Sequence, residues 1–425
     1  MSATAAIFVL LFVAGSFMAL LRHPIFGLMA YVLVFYISPS DRWWGQAAIS
    51  GFRWALIAAV VTAVAIAIHR PRPSAIPLSR QPMMWGFVLF VAWVALQSFW
   101  ALDPISHSDL LTYYLKYIVA MYLIYRCIDS DASLKRFMWA HVLGCTYLAW
   151  VAYTGQAGGR FDAFGGAGIG DANAGALTIV TGILAAASLF LAGSGKAKIA
   201  VIGAMPLLVN AVVATISRSG FLAFGVAGIA YNFFAPKPYA KWVRALSLVG
   251  LALFLALTNP VYWERIQSLQ YQGEEVEGVD TGSKRLTLIA AQWEMSREHP
   301  MGCGSRCTDV LSAEYLDPRQ LAGGPDEPGS RSSHNTFMTM LVDHGIPGAV
   351  AYLVMVFWLA TSLLRLRRAL RDGDDLLSQM LPAVAGALVA ITVGDLFVQY
   401  PKLEVRFWLF TIVMAMLSID RKSVV

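Results

Sequence analysis

The runs Leu177–Leu191 (LTIVTGILAAASLFL) and Ala55–Ile68 (ALIAAVVTAVAIAI) contain no charged residue. A run of roughly 20 apolar residues spans about 30 Å of hydrocarbon as a helix. In lipid every backbone N–H and C=O must be satisfied internally, so many such runs in one chain mean a helical bundle. The rest of the 425-residue chain has the same character: it is 58% hydrophobic and only 14% charged, where soluble domains carry about 25%. The mean hydropathy is positive.

Working outward, hydropathy and breaks predict spans near Ala5–Leu21, Ile25–Ser38, Trp54–His69, Met84–Leu102, Leu110–Ile128, Phe137–Tyr153, Ala174–Ala192, Ile199–Ala214, Gly220–Phe234 and Trp242–Thr258. After a long polar interval come Ile346–Leu366, Leu377–Phe397 and Arg406–Ile419. The fold class expected is therefore all-α: a polytopic membrane helical bundle of roughly 12 transmembrane helices with one large, partly helical loop. Three units follow: a transmembrane bundle over 1–258, the large loop over 259–335, and C-terminal transmembrane helices over 336–425. No signal peptide is expected apart from the first span, because the opening apolar stretch lacks a basic leader and a cleavage site.

Short cytoplasmic loops collect Lys and Arg. Arg70–Arg80, Arg126–Arg136, Lys196–Lys198, Lys237–Arg244, Arg365–Arg371 and Arg421–Lys422 can all lie on one side, which is then the cytoplasm. This puts Pro39–Arg53, Asp103–Asp109, Gly155–Asn173, Ser217–Gly220, Asn259–Asn335 and Gln399–Glu404 outside. In a bacterium that means the periplasmic face of the inner membrane. A strict count also places Met1 outside, although the second span is short for a crossing. The net charge of +6 reflects these basic loops and not a nucleic-acid surface.

The large loop is rich in acidic residues: Glu274, Glu275, Glu277, Asp280, Asp309, Glu314, Asp317, Asp326 and Glu327. Within it Ser283–His299 reads as an amphipathic helix, with Leu286, Ile289, Ala290 and Trp293, at i, i+3, i+4 and i+7, on one face. Pro300, Gly302 and Gly304 end it. A short helix is expected over Asp309–Tyr315 and a Gly/Pro/Ser-rich loop over Leu321–Ser333. Cys303 and Cys307 fit a disulfide if this loop is outside the cytoplasm. With His299 nearby they also fit part of a zinc site, though nothing completes the ligand set.

No Walker-type phosphate loop and no Gly-x-Ser-x-Gly elbow is present. Gly165–Gly170 mimics a dinucleotide fingerprint without the strand that should precede it. The ionisable residues at the outer edge are more informative. Arg218 directly follows a span, where an arginine is expensive unless it faces a cavity or partner; the plainer reading is a snorkelling anchor. Arg285 heads the loop helix and Arg160 sits just outside the sixth span, and each could be an ordinary surface arginine. His334 lies where the polar loop turns apolar, and a neutral imidazole there can act as a general base. A lone histidine is nonetheless more often structural. Asp395 lies late in an apolar span, with Arg218 or His334 as functional partners, or else in a structural ion pair within the bundle. Guanidinium forks suit diphosphate oxygens, a histidine can deprotonate a hydroxyl, and apolar helices can hold a lipid tail. Transfer of a glycan from a lipid diphosphate to a sugar hydroxyl needs those parts.

Arg285–Leu286 with Trp293, Glu294, His299, Pro300, Gly302 and Gly304 resembles the Arg-headed helix ending in His-Pro-x-Gly-x-Gly of the O-antigen ligase and polymerase superfamily. His334–Asn335 with Gly345 and Gly348 resembles its next block. Arg160, Asp171–Ala172–Asn173 and Arg218 resemble blocks upstream, so the likeness covers roughly residues 100 to 400. Cys303 departs from it, standing where an aliphatic residue is usual. The resemblance implies an inverting, metal-independent membrane glycosyltransferase with no cofactor. It would move O-antigen from undecaprenyl diphosphate to the lipid A–core oligosaccharide, with His334 as base and Arg218 and Arg285 on the diphosphate. Arg160, Asn173, Asn335 and Asp395 are further candidates. Superfamily alternatives are an O-antigen polymerase, with a second lipid-linked glycan as acceptor, and a protein O-oligosaccharyltransferase, with a Ser or Thr hydroxyl. The His-Asn block tilts the choice to ligase. A transporter of lipid-linked glycans would instead need ionisable groups along a path through the midplane. The oligomeric state is left open.

Overall fold

The computed structural model describes residues 2–46, 49–71, 75–155, 159–166, 168–258, 282–321 and 329–423. Among these residues the chain is all-helical. The order is α1 (Ala3–Leu21), α2 (Ile25–Ile37), a short α3 (Trp43–Gln46), α4 (Trp54–His69), α5 (Pro82–Gln97), α6 (Pro104–Cys127), α7 (Asp131–Gly155) and α8 (Ala172–Leu191). Then follow α9 (Gly195–Ala214), α10 (Arg218–Phe233), α11 (Ala240–Leu257), α12 (Gly282–Glu298), α13 (Cys307–Tyr315), α14 (Thr336–Ala369), α15 (Leu376–Gly394) and α16 (Glu404–Ser423). A helix stands at every segment expected to span. Among the described residues, six stretches are long and apolar enough to cross a membrane by length and composition: Ala3–Leu21, Ala172–Leu191, Gly195–Ala214, Lys237–Ala256, Thr336–Ala369 and Leu376–Gly394. The chain is a multi-pass membrane protein.

α8 is the packing axis. It is buried on nearly every side and contacts α7, α9, α10 and α15. Small residues make this approach close: a Cβ at Gly182 would sit 2.6 Å from Cys145 Cβ and Sγ. Helices in lipid associate through such close backbone packing, because the surrounding lipid gives no hydrophobic drive toward a neighbouring helix. One large core runs from Ile25 to Met416 and joins helices from both ends of the chain. A second, smaller core lies under the large loop and contains Leu288, Ala291, Met295, Cys303, Cys307, Leu311 and Val342.

α14 is bent. At Gly345 the backbone has φ 67 and ψ −173, and Pro347 follows. The expected span from Ile346 begins at this kink, and Thr336–His344 forms a separate helical piece in front of it. The expected span Met84–Leu102 ends earlier than its hydropathy suggests, since α5 stops at Gln97. The next residues turn instead to meet the large loop, with the Leu102 N–H donating to the Cys303 carbonyl at 2.9 Å.

Candidate functional site

The site is built on the large loop, the two inter-helix turns that meet it, and the two further turns these lead to. α12 heads the arrangement, and the apolar face read from the sequence is the outer one. Leu286 and Trp293 are 69% and 57% exposed, while Leu288, Ala291, Gln292 and Met295 are buried. The buried stripe packs on α13 and α14, and a polar residue, Gln292, lies within it.

The His299-Pro300-x-Gly302-x-Gly304 turn is a docking device. Gly302 (φ 72) lies backbone to backbone against Gly345 (φ 67), so neither position has room for a Cβ. Both need the left-handed region, which only glycine enters without cost. The Ile346 N–H donates to the Pro300 carbonyl and the Gly304 N–H to the Asp343 carbonyl, each at 2.9 Å. The turn after α5 clamps the junction from the far side. Gln97 Nε2 donates to the Met301 carbonyl (2.9 Å) and to the Asp343 carbonyl (3.1 Å). Trp93 Nε1 donates to the His344 carbonyl and Trp100 Nε1 to that of Gly302. Cys303 and Cys307 form a disulfide, with Cα atoms 5.6 Å apart. Between them Arg306 takes φ 62, and its N–H donates to Asp343 Oδ2 at 2.9 Å. Of the two readings left open for the cysteines, the disulfide is the one found.

His334 sits at the other end of the loop with φ 51 and an exposed side chain. His is among the residues that enter this region most readily. Its neighbours are held firmly. The Ser333 N–H donates to Gln399 Oε1 at 3.2 Å, and Ser333 Oγ receives Gln292 Nε2 at 2.7 Å. Asn335 caps α14, its Oδ1 accepting the Met338 N–H at 3.0 Å, while its Nδ2 donates to the Leu396 carbonyl at 3.3 Å. Thr336 then docks on the turn between α15 and α16: its N–H donates to the Asp395 carbonyl (2.7 Å) and its Oγ1 to the Val398 carbonyl (2.8 Å).

The same turn reaches the upstream blocks. The Tyr400 hydroxyl is hydrogen-bonded to the Asp171 carboxylate, and burial together with that carboxylate raises the Tyr400 pKa. Asp171 caps α8, its Oδ1 accepting the Asn173 and Ala174 N–H groups. Asn173 Oδ1 in turn accepts from Ser217 Oγ at 2.6 Å, and Ser217 caps α10, on which Arg218 is the first residue. A continuous set of hydrogen bonds therefore links His334–Asn335, the 395–400 turn, Asp171–Asn173 and Ser217–Arg218. Arg285 lies on α12 two turns before Gln292, on the same face. The Phe161 N–H donates to the Ala214 carbonyl at 2.9 Å, which puts Arg160 beside the same corner, but its side chain is exposed and has no partner among the described residues.

Asp395 departs from both functional pairings expected of it. Its carboxylate is bound by Arg406 Nη2 at 2.5 Å and by the Tyr352 hydroxyl at 2.7 Å, not by Arg218 or His334. Of the expected roles this geometry fits the structural ion pair. Sequence reasoning misses Arg406, which reads only as the start of a span, and it misses Gln97, Gln292, Gln399 and Tyr400. The one available signal is an amide or phenol inside or beside an apolar helix. The acidic residues Glu274, Glu275, Glu277, Asp280, Asp326 and Glu327 lie outside the described residues.

A family model described as O-antigen ligase matches residues 203–353. This interval contains Arg218, α12, the docking turn, the disulfide, His334–Asn335 and the kink at Gly345. No curated protein matches the chain.

Proposed function

Since residues 203–353 make this chain a member of the O-antigen ligase and polymerase superfamily, we propose that it is an O-antigen ligase. The reaction moves a glycan from undecaprenyl diphosphate to a hydroxyl of the lipid A–core oligosaccharide at the periplasmic face of the inner membrane. The observation that carries this reading is the hydrogen-bonded set joining His334–Asn335 to Asn173 and the Ser217–Arg218 corner through the 395–400 turn. It ties the segment bearing His334 to the corner bearing Arg218, although the two are far apart in sequence, and so supports a shared site for a base and an arginine. The disulfide within that loop suits an oxidising compartment.

In this mechanism the acceptor hydroxyl oxygen attacks the anomeric carbon as the bond to the diphosphate oxygen breaks, inverting the configuration. His334 takes the hydroxyl proton. A positioned base of this kind contributes about 10²–10⁴-fold. Arg218 and Arg285 bind the diphosphate and compensate the charge that develops on it, so the electrostatic work is done by fixed guanidinium groups. Arg160 and Asn173 lie near the same corner, Arg160 as a solvent-side cation and Asn173 as the support of Ser217. Asn335 orients the His334 backbone. No step in this scheme requires a metal or cofactor.

The test is a lipopolysaccharide gel from a strain lacking the gene, complemented with wild type or His334→Ala. Bare lipid A–core with accumulated lipid-linked polymer, rescued by wild type and not by the variant, is the expected result. Core bearing a single repeat would make the chain a polymerase. An unchanged ladder would overturn the ligase reading and point to a protein acceptor or to transport.

A further inference from the structure

Gln292 is fully buried in α12, and an amide is buried at a cost unless it is hydrogen-bonded. Its Nε2 donates to Ser333 Oγ at 2.7 Å and to Thr308 Oγ1 at 3.2 Å, while its Oε1 has no partner among the described residues. The direction of the first bond is fixed by proton counting. Ser333 Oγ has one proton and gives it to the Asn335 carbonyl at 2.9 Å, so toward Gln292 it is an acceptor and needs an N–H.

These bonds close on the two residues that flank His334, Ser333 and Asn335. The Ser333 N–H is held by Gln399, its hydroxyl joins Gln292 to the Asn335 carbonyl, and Asn335 is tied to the Leu396 carbonyl. His334 therefore projects from a segment clamped on one side by α12 and on the other by the 395–400 turn. Its φ of 51 is a conformation that non-glycine residues keep only when their surroundings impose it. The Gln292 face of α12 also bears Arg285, about 10 Å further along the helix axis.

We propose that Gln292 is a positioning residue: through Ser333 it fixes the His334 imidazole in register with the arginine carried on the same face of α12. This deepens the reading of His334 as the base and rests on it. Gln292 does not touch substrate. It acts by holding the distance between the group that takes the proton and the group that receives the leaving diphosphate.

The experiment uses the full chain in nanodiscs, with an undecaprenyl-diphosphate-linked glycan and lipid A–core as substrates, and reads kcat and KM separately. Gln292→Ala should lower kcat by about 10–100-fold, because a displacement of the order of 1 Å costs up to about that much. KM for both substrates should stay close to wild type. Gln292→Leu, which keeps most of the size but has no N–H to donate, should lose at least as much. Ser333→Ala deletes the other end of the same bond, so it should match Gln292→Ala, and the double variant should be no worse than either. Thr308→Val removes only the second bond and should leave kcat near wild type. Should Gln292→Ala fail to fold, Ser333→Ala reads the same bond with one hydroxyl removed.

Wild-type kcat in the Gln292 variants, a change confined to KM, or additive losses in the double variant would each overturn the proposal. His334→Ala, assayed alongside, separates the two readings. Full turnover there sinks the base assignment itself, whereas an inactive His334→Ala beside unaffected Gln292 variants sinks only the positioning role.

Discussion

Asp395 and Arg406 form an ion pair of 2.5 Å whose side chains are only 2% and 3% exposed. The Tyr352 hydroxyl closes the unit, donating to Asp395 Oδ2 at 2.7 Å and accepting from Arg406 Nη1 at 2.6 Å. The turn that receives Thr336 and carries Tyr400 begins at Asp395, so the unit supports the segment bearing His334. Removing one partner of a buried pair leaves an uncompensated charge, at about 3–5 kcal/mol. Asp395→Ala and Arg406→Ala should each sharply lower the thermal midpoint in detergent. Asp395→Leu combined with Arg406→Met should recover much of the loss. Single variants as stable as wild type would contradict the structural assignment.

The contact between Gly302 and Gly345 makes a second prediction. A Cβ at Gly302 would collide with the Gly345 amide nitrogen and the Asp343 carbonyl oxygen, all backbone atoms that cannot swing aside. Left-handed strain adds about 1–2 kcal/mol at either position. Gly302→Ala and Gly345→Ala should therefore yield little folded protein on size-exclusion chromatography. Gly225→Ala is the control: no atom lies within 4 Å of its Cβ, and in α10 it should gain about 0.5–1 kcal/mol of helix stability. Normal yield for Gly302→Ala would show that the two backbones do not meet.

How much of this is readable from sequence differs residue by residue. Charge-free runs such as Leu177–Leu191 announce their helices, because lipid admits no other backbone arrangement there. Gly302, Gly304 and Gly345 stand out by spacing, and their backbone angles bear that out. The buried face of α12 does not follow from its apolar stripe, because apolarity is a poor guide to burial in a chain with many exposed apolar helix faces. There Leu286 and Trp293 lie outward while buried Gln292 serves as a hydrogen-bond donor. Arg406 escapes notice for a related reason: its partner Asp395 lies across a turn, and only the tertiary fold brings the two together.

Asp103 supplies a pH-dependent prediction. It caps α6, accepting the Ser106 N–H at 3.0 Å, and this hydrogen bond, with a smaller contribution from Arg306, lowers its pKa. A carboxyl with a depressed pKa stabilises the fold above the ordinary carboxylate value of about 3.9, and that share fades as the pH falls through the lowered value. The Arg306 contact at 3.8 Å is largely solvent-exposed and adds little. Asp103→Asn should keep the cap yet flatten the acid limb of the stability curve, whereas Asp103→Ala should also cost about 1 kcal/mol at neutral pH. Thermal midpoints from about pH 3 to 7 in detergent would check this, and identical acid limbs for wild type and Asp103→Asn would refute it.

His334 allows backbone and side chain to be tested separately. With φ 51, replacement by Ala removes the imidazole and also adds left-handed strain of about 1–2 kcal/mol. Replacement by Gly removes the imidazole alone, since glycine accepts this conformation freely. Both variants should lose about 10²–10⁴-fold in transfer, the share expected of a general base, but the His334→Gly protein should keep a thermal midpoint at or above that of His334→Ala. The check is a transfer assay run beside thermal unfolding on the same preparations. If His334→Gly restored activity that His334→Ala lacked, the residue would be needed for its backbone and the proton would have to go elsewhere. Equal inactivity with unequal stability would assign the loss to the imidazole.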